Sequence, residues 1–257
     1  MNSTQHGKRF LQLAFGLAIG VVAMTEPSPA AAQASPAAQR EPASQTLSAR
    51  QQAIVPIAAF GAAGDMAGLA TALNRGLDAG MTVNDAKEVL VQLYAYAGFP
   101  RSLNALAELM KVVEARKQRG VQDAQGRPPT RPIPKGDALL AAGTANQTKL
   151  LGAPAAGAIF DFAPAADEYL KSHLFGAIFE RDNLDWRSRE LATVGMLSAL
   201  PGADSQLQSH MGFSMNVGLT TSQLNQVTQV LAERVDAASA ARAQGALARQ
   251  LAIRQKP

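Results

Sequence analysis

Histidine is the side chain best suited to moving a proton near neutral pH, and the stretch SQLQSHMGFSMNVGLT, residues 205–220, carries one at His210. His210 follows Leu207 by three residues and adjoins Met211, which places it at the edge of an apolar helical stripe. Before it run WRSRELATVGMLSAL and the short turn PGADS. Two antiparallel helices joined by that turn would bring the Glu190 carboxylate to the His210 ring. Such a carboxylate holds an imidazole in one tautomer and orientation. Arg189, next to Glu190, is the candidate for holding a substrate carboxylate. The competing reading is a polar contact satisfied between packed helices, with no chemistry. His173, in EYLKSHLFG, sits in a turn crowded with Tyr169, Leu174 and Phe175, and reads as a structural or interfacial histidine.

Other chemistries lack their residues. The chain has no cysteine, so it has no disulfide, no thiolate metal site and no thiol redox chemistry. Its histidines and carboxylates show no HxxxH or HExxH spacing, and no metal or other cofactor is expected. GAAGD and LGAPAAG lack the strand context and the lysine of a phosphate loop. GFSMN lacks the second glycine of a nucleophile elbow and falls within a helical pattern, so Ser214 is not read as a nucleophile. The formal charge of +4 is small for 257 residues and argues against a nucleic-acid partner. The densest basic run, KVVEARKQRG (111–120), interleaves Glu114 and has no stacking aromatics; it reads as a solvated helix end.

The elements that must position these residues are helical. Hydrophobic residues make up 47% of the chain and aromatics only 5%, with alanine abundant and β-branched runs few, which favours helices over sheets. The start is expected to be a targeting segment rather than fold. Lys8 and Arg9 precede an apolar run from Leu11 to Met24, and small residues follow that suit cleavage after Ala32 or Ala34. That run is short for a membrane span, and an uncleaved anchor is the alternative. Cleavage would remove Lys8, Arg9 and Glu26 and take the charge from +4 to +3. Residues 35–47 read as a disordered Pro/Ala/Ser lead.

From Ser48 onward a pattern occurs twice. Met66, Leu69, Leu73 and Leu77 form one helical stripe, Gly80 closes it, and Thr82 with Asp85 opens the next helix, whose inward residues are Val89, Leu90, Leu93 and Ala97. Leu207, Met211 and Met215 form a second stripe, Gly218 closes it, and Thr220 with Gln223 opens a helix carrying Leu224, Val227 and Leu231. An offset of 138 aligns Gly80 with Gly218, Thr82 with Thr220 and Gly64 with Gly202. Between the halves, residues 118–137 hold Pro128, Pro129, Pro132 and Pro134 and cannot be a regular helix. Residues 139–163 are rich in small residues and ambiguous. Helix is expected to resume at Pro164, anchored by Tyr169, Leu170, Phe175 and Ile178.

With these residues the chain resembles the carboxymuconolactone decarboxylase family of the alkylhydroperoxidase-D-like superfamily. The resemblance rests on Phe175-Gly176, Arg181-Asp182-x-Leu184, Arg189-Glu190-Leu191, a His-bearing helix, Asn216-x-Gly218-Leu219-Thr220, and in the first half on GLDAGMTVNDAKEVLVQLYAYAGFPRSLNAL. It implies an all-α fold of two tandem alkylhydroperoxidase-D-like modules. The expected domains are a signal peptide (1–34), a lead (35–47), a degenerate first module (48–117), a linker or crossover (118–163) and a second module with a C-terminal helix (164–257). It also implies that Glu190 and His210 are catalytic, with Tyr96 of AYAGFP lining a pocket shared across modules. Members are commonly trimers or hexamers of such modules, so a homo-oligomer, a trimer, is expected.

The implied function is cofactor-free decarboxylation or isomerisation of a small lactone or keto acid by a periplasmic or secreted carboxy-lyase-like protein, with no membrane partner after cleavage. Export does not suit the family's cytoplasmic role in aromatic degradation, so another substrate is expected. The alternative is a non-catalytic helical scaffold or small-ligand binder. The first half supports it, because the offset puts Gln52 at the place of Glu190 and Ala72 at that of His210. The peroxidase branch carries CxxC before the helix histidine, whereas Ala203 and Gln206 stand at those positions here. Thiol-based peroxide reduction is therefore chemically unavailable.

Overall fold

A computed structural model describes residues 45–255. The targeting segment and most of the lead lie outside the described residues. Leu47, at the end of the expected lead, is not loose: it is buried, and its N–H donates to Gln226 Oε1 at 2.6 Å.

The described residues form helices and no strands. In chain order these are α1 (Ala49–Ala63), α2 (Met66–Asp78), α3 (Val83–Gln92), α4 (Tyr94–Gln118), α5 (Asp137–Leu151), α6 (Ala158–Phe162), α7 (Pro164–Tyr169), a π-helix (Leu170–Ile178), α8 (Trp186–Ser198), α9 (Asp204–Asn216), α10 (Thr221–Arg234) and α11 (Ala237–Arg254). None is long and apolar enough to cross a membrane.

Local sequence sets most of the boundaries. Thr82 and Thr220 each close a capping box, with Asp85 and Gln223 at the third helical position. Gly80 and Gly218 take φ of 86° and 93°, a left-handed conformation that costs glycine nothing and lets each preceding helix end in a tight turn. Gly98, at φ 82°, breaks α4 after its first turn, just ahead of Pro100. Shifted by 138 residues, α2 falls on the bounds of α9, and the start of α3 falls on the start of α10.

The core forms where α1 and α8 pack along one another, with α2, α3, α4 and α9, α10, α11 around them. α8 is buried on every face from Ser188 to Ser198. Its polar residues, Arg189, Glu190, Thr193 and Ser198, must therefore find partners inside the protein.

Three expectations are corrected. The expected linker contains α5, an Ala- and Leu-rich helix whose weak apolar periodicity hid it. α5 packs against the π-helix, and together with Phe175, Ile178 and Phe179 it makes a second small core. Tyr169 is exposed rather than an anchor, because the wider π turn re-aims the chain so that Leu174 and Phe175 both turn inward. Arg116, in the run read as solvated, is buried and bonds the Asp123 and Asp78 carboxylates at 2.9 and 2.8 Å.

Gly143 is where α5 meets the π-helix, and a Cβ there would lie 1.9 Å from the Lys171 carbonyl oxygen. Gly143→Ala therefore forces the two helices apart. The expected loss is about 1–3 kcal/mol, read as a lowered Tm of the purified protein.

Candidate active site

The site begins with α8. Asp185 caps it, accepting from the Ser188 N–H at 2.9 Å. One turn further on, Glu190 is sealed from solvent. The PG turn reverses the chain into α9, and His210, on the second turn of that helix, lays its Nδ1 2.8 Å from Glu190 Oε2. The other carboxylate oxygen, Oε1, is buried and has no hydrogen-bond partner. A carboxylate against Nδ1 places the ring proton there, so Nε2 carries the free lone pair. Nε2 makes no hydrogen bond among the described residues and is left to the adjoining cavity.

That cavity has a volume of about 640 Å³. Its walls come from α9 (Ser205, Gln206, Ser209, Phe213), the π-helix (Leu174, Phe175), α5 and the start of α4. The His210 ring meets Tyr96 and Phe213 edge-on, at centroid distances of 5.8 and 5.0 Å. The Tyr96 hydroxyl is bonded to that of Thr193 at 3.2 Å. Burial, and then the charge of Glu190, push its phenol well above the usual pKa, so Tyr96 keeps its proton; the Thr193 bond and Arg189 pull the other way. Gln147, on α5, lines the same cavity, is 2% exposed and makes no hydrogen bond among the described residues. No Lys, Arg, Asp or Glu lines this space. Among the described residues no group of three or more His, Cys, Asp or Glu could hold a metal ion.

The structure thus brings Glu190, His210 and Tyr96 together and sends Arg189 elsewhere. Arg189 is fully buried; its guanidinium bonds Glu88 at 3.2 Å, the Arg181 carbonyl at 2.9 Å and Gln92 Oε1 at 3.3 Å. Consecutive helical residues project about 100° apart, so Arg189 and Glu190 reach different neighbours. The expectation that Arg189 holds a substrate carboxylate is therefore corrected: Arg189 clamps α8 to α3. Arg181 grips the same Glu88 from the other side at 2.6 Å. The motif arginines share this anion, and Asp182 holds the Pro-rich loop through Thr130 and Arg127. His173 is exposed beside Tyr169, and Ser214 is sealed in the core.

Sequence reasoning missed Glu88, Gln92 and Gln147. Glu88 and Gln92 lie four apart beside Val89 and Leu93, and polar residues flanking a buried stripe were the available signal. Gln147 gave none, since its helix was not recognised.

An all-helical protein with a buried carboxylate–imidazole pair opening on a largely apolar cavity is the class that fold and site define. Residues 164–249, about a third of the chain, match the model of the carboxymuconolactone decarboxylase family. No curated protein matches the chain.

Proposed function

We propose that the chain is an exported, cofactor-free acid–base catalyst acting on a small lactone or ketone, with His210 moving the proton and Glu190 orienting it. The observation that carries this is the 2.8 Å contact between His210 Nδ1 and a solvent-sealed Glu190 at the wall of a cavity. His210 Nε2 takes a proton from the carbon next to a carbonyl, and the C–H electron pair moves into the enolate. The same nitrogen returns the proton to another carbon of the conjugated system. Gln147 supplies an N–H donor to the carbonyl oxygen, and Tyr96 and Phe213 hold the apolar part. Isomerisation suits this lining better than decarboxylation, which would bring a carboxylate into a space without a lysine or arginine.

The test is exchange in D2O. Unsaturated lactones and β-keto esters are incubated with the protein, and deuterium uptake next to the carbonyl is followed by NMR. Catalysed exchange that His210→Gln abolishes supports the reading; exchange no faster than in buffer for every compound sinks it. A second reading, a non-catalytic scaffold or small-ligand binder, is favoured by Gln52 and Ala72 at the corresponding places of the first half.

The two halves are read as tandem modules, supported by the coincidence of α2 with α9 at a shift of 138. Export is supported by Lys8, Arg9, the apolar run after them and the small residues beyond. Self-association, as the trimer expected from the resemblance, is supported by exposed apolar residues of α4, where Phe99, Leu103 and Met110 are 61%, 61% and 70% exposed. Native mass spectrometry of the secreted protein checks both: chains should begin at Gln33 or Ser35 and assemble in threes, whereas an intact Met1 or a lone chain counts against the respective proposal.

A further inference from the structure

A second cavity, of about 520 Å³, lies against α1 and α2 in the first half. Its position answers to that of the first. Moved by 138 residues, Gln52, Ala72 and Thr71 fall on Glu190, His210 and Ser209, and Tyr96 falls on Arg234. Each cavity thus borrows from the opposite half: Tyr96, with Ala95, reaches the His210 cavity, and Arg234, at the end of α10, reaches this one.

The chemistry has been exchanged. Where the first cavity has an acid and a base, this one has an amide and a methyl group, and it gains two guanidiniums, Arg75 and Arg234. Arg234 is half-buried, and its only hydrogen bond among the described residues runs to Gln52 Oε1 at 3.2 Å. Arg75 makes no hydrogen bond or ion pair there. No carboxylate lines the cavity. The rest of the wall is apolar except for Thr71: Phe60, Pro56, Gly68 and four further alanines.

Unpaired guanidiniums at the rim of an apolar space, with no counter-ion from the chain, suit a small organic anion whose carboxylate meets the arginines and whose body lies on Phe60. We propose that this cavity is a binding site for small organic acids, aryl or branched-alkyl carboxylates, distinct from the His210 site and without catalysis of its own. Guanidinium forks prefer a planar carboxylate, and the apolar wall disfavours a fully hydrated inorganic anion.

The experiment titrates the full chain with sodium benzoate, benzamide and inorganic phosphate by calorimetry, and repeats this for the Arg75→Gln/Arg234→Gln chain and for His210→Gln. Circular dichroism confirms that the variants fold; Arg75 is exposed and Arg234 bonds only Gln52, so both should. Benzoate should bind at least tenfold more tightly than benzamide or phosphate. It should weaken at least tenfold in the double variant, and be unchanged in His210→Gln. Equal binding of benzamide, stronger binding of phosphate, no loss in the double variant, loss in His210→Gln, or no benzoate binding at all would each overturn the proposal. Because His210→Gln removes the proposed catalyst and leaves this site alone, failure here and failure of the isomerase reading are told apart.

Discussion

The His210→Gln chain is expected to lose about 100- to 10,000-fold of its carbon-acid exchange rate while its Tm moves by only a few degrees. Glutamine keeps most of the volume of the ring and can donate an amide N–H to Glu190, so the buried carboxylate stays partnered. It cannot take or return a proton. His210→Ala is harsher. Glu190 Oε1 already has no partner, and Oε2 would lose the one it has, leaving a sealed carboxylate with no hydrogen bond at all. That change should cost a further ~1–3 kcal/mol in stability. Glu190→Gln separates orientation from proton transfer. The amide can donate to Nδ1, which then carries the lone pair and turns the N–H toward the cavity, so the rate should fall steeply with little loss of fold. Rates measured across pH settle whether Glu190 acts through His210: the Glu190→Gln profile should change shape, whereas a purely structural effect would lower it uniformly. A His210→Gln chain with an undiminished rate leaves the histidine structural and favours the scaffold.

Removing Glu88 should be the most destabilising single change outside the apolar core. Glu88 is 2% exposed and neutralises Arg189, which has no exposure at all, as well as Arg181. Glu88→Ala leaves the Arg189 guanidinium buried without an anion, and its Nε already lacks a partner. The expected cost is about 3–5 kcal/mol, a fall in Tm of roughly 10 °C or more, read by urea and thermal unfolding. A loss under about 1 kcal/mol would mean that water reaches Arg189. Glu88→Leu combined with Arg189→Met should recover much of the loss, because the desolvation cost disappears with both charges.

The same pair sets an acid limit. Burial on its own raises the Glu88 pKa, but hydrogen bonds from Arg181 and Asn183 and the charges of Arg189 and Arg181 outweigh it, so the carboxyl ends below its usual value of 4.5. A carboxyl depressed in the folded state contributes stability above its unfolded pKa, and that contribution fades as pH falls through the folded value. Stability should therefore decline in the native chain as pH falls below the usual value of 4.5 and on through the lower folded one. That step should be missing from the Glu88→Leu/Arg189→Met chain.

Much of this fold was legible because it is written locally. The capping boxes at Thr82 and Thr220 join residues three apart, and Gly80 and Gly218 end helices through their own backbone freedom. The stripes of Leu69, Leu73 and Leu77, and of Leu224, Val227 and Leu231, follow the helical period and are buried. The contact between Glu190 and His210 was within reach for the same reason, since a short turn between consecutive helices leaves few ways to pack them. Where period failed, reading failed: the leucines of α5 stand in adjacent pairs at its two ends and draw no stripe, and a π turn at 170–178 shifts the inward face off the helical count.

The sequence by itself determined the helices, their ends, the absence of thiol chemistry and the pairing of an acid with a histidine across one turn, because each depends on residue type and on neighbours close along the chain. The tertiary structure alone decided that Arg189 serves Glu88 rather than a ligand, that Gln147 reaches the His210 cavity, and that a second cavity is lined by Arg75 and Arg234. Those partners lie 97 to 101 residues apart for Arg189 and its α3 neighbours, and no local period encodes which of two adjacent helical side chains meets which distant helix. Packing chose, by setting Glu88 against the buried Arg189 and His210 against the buried Glu190.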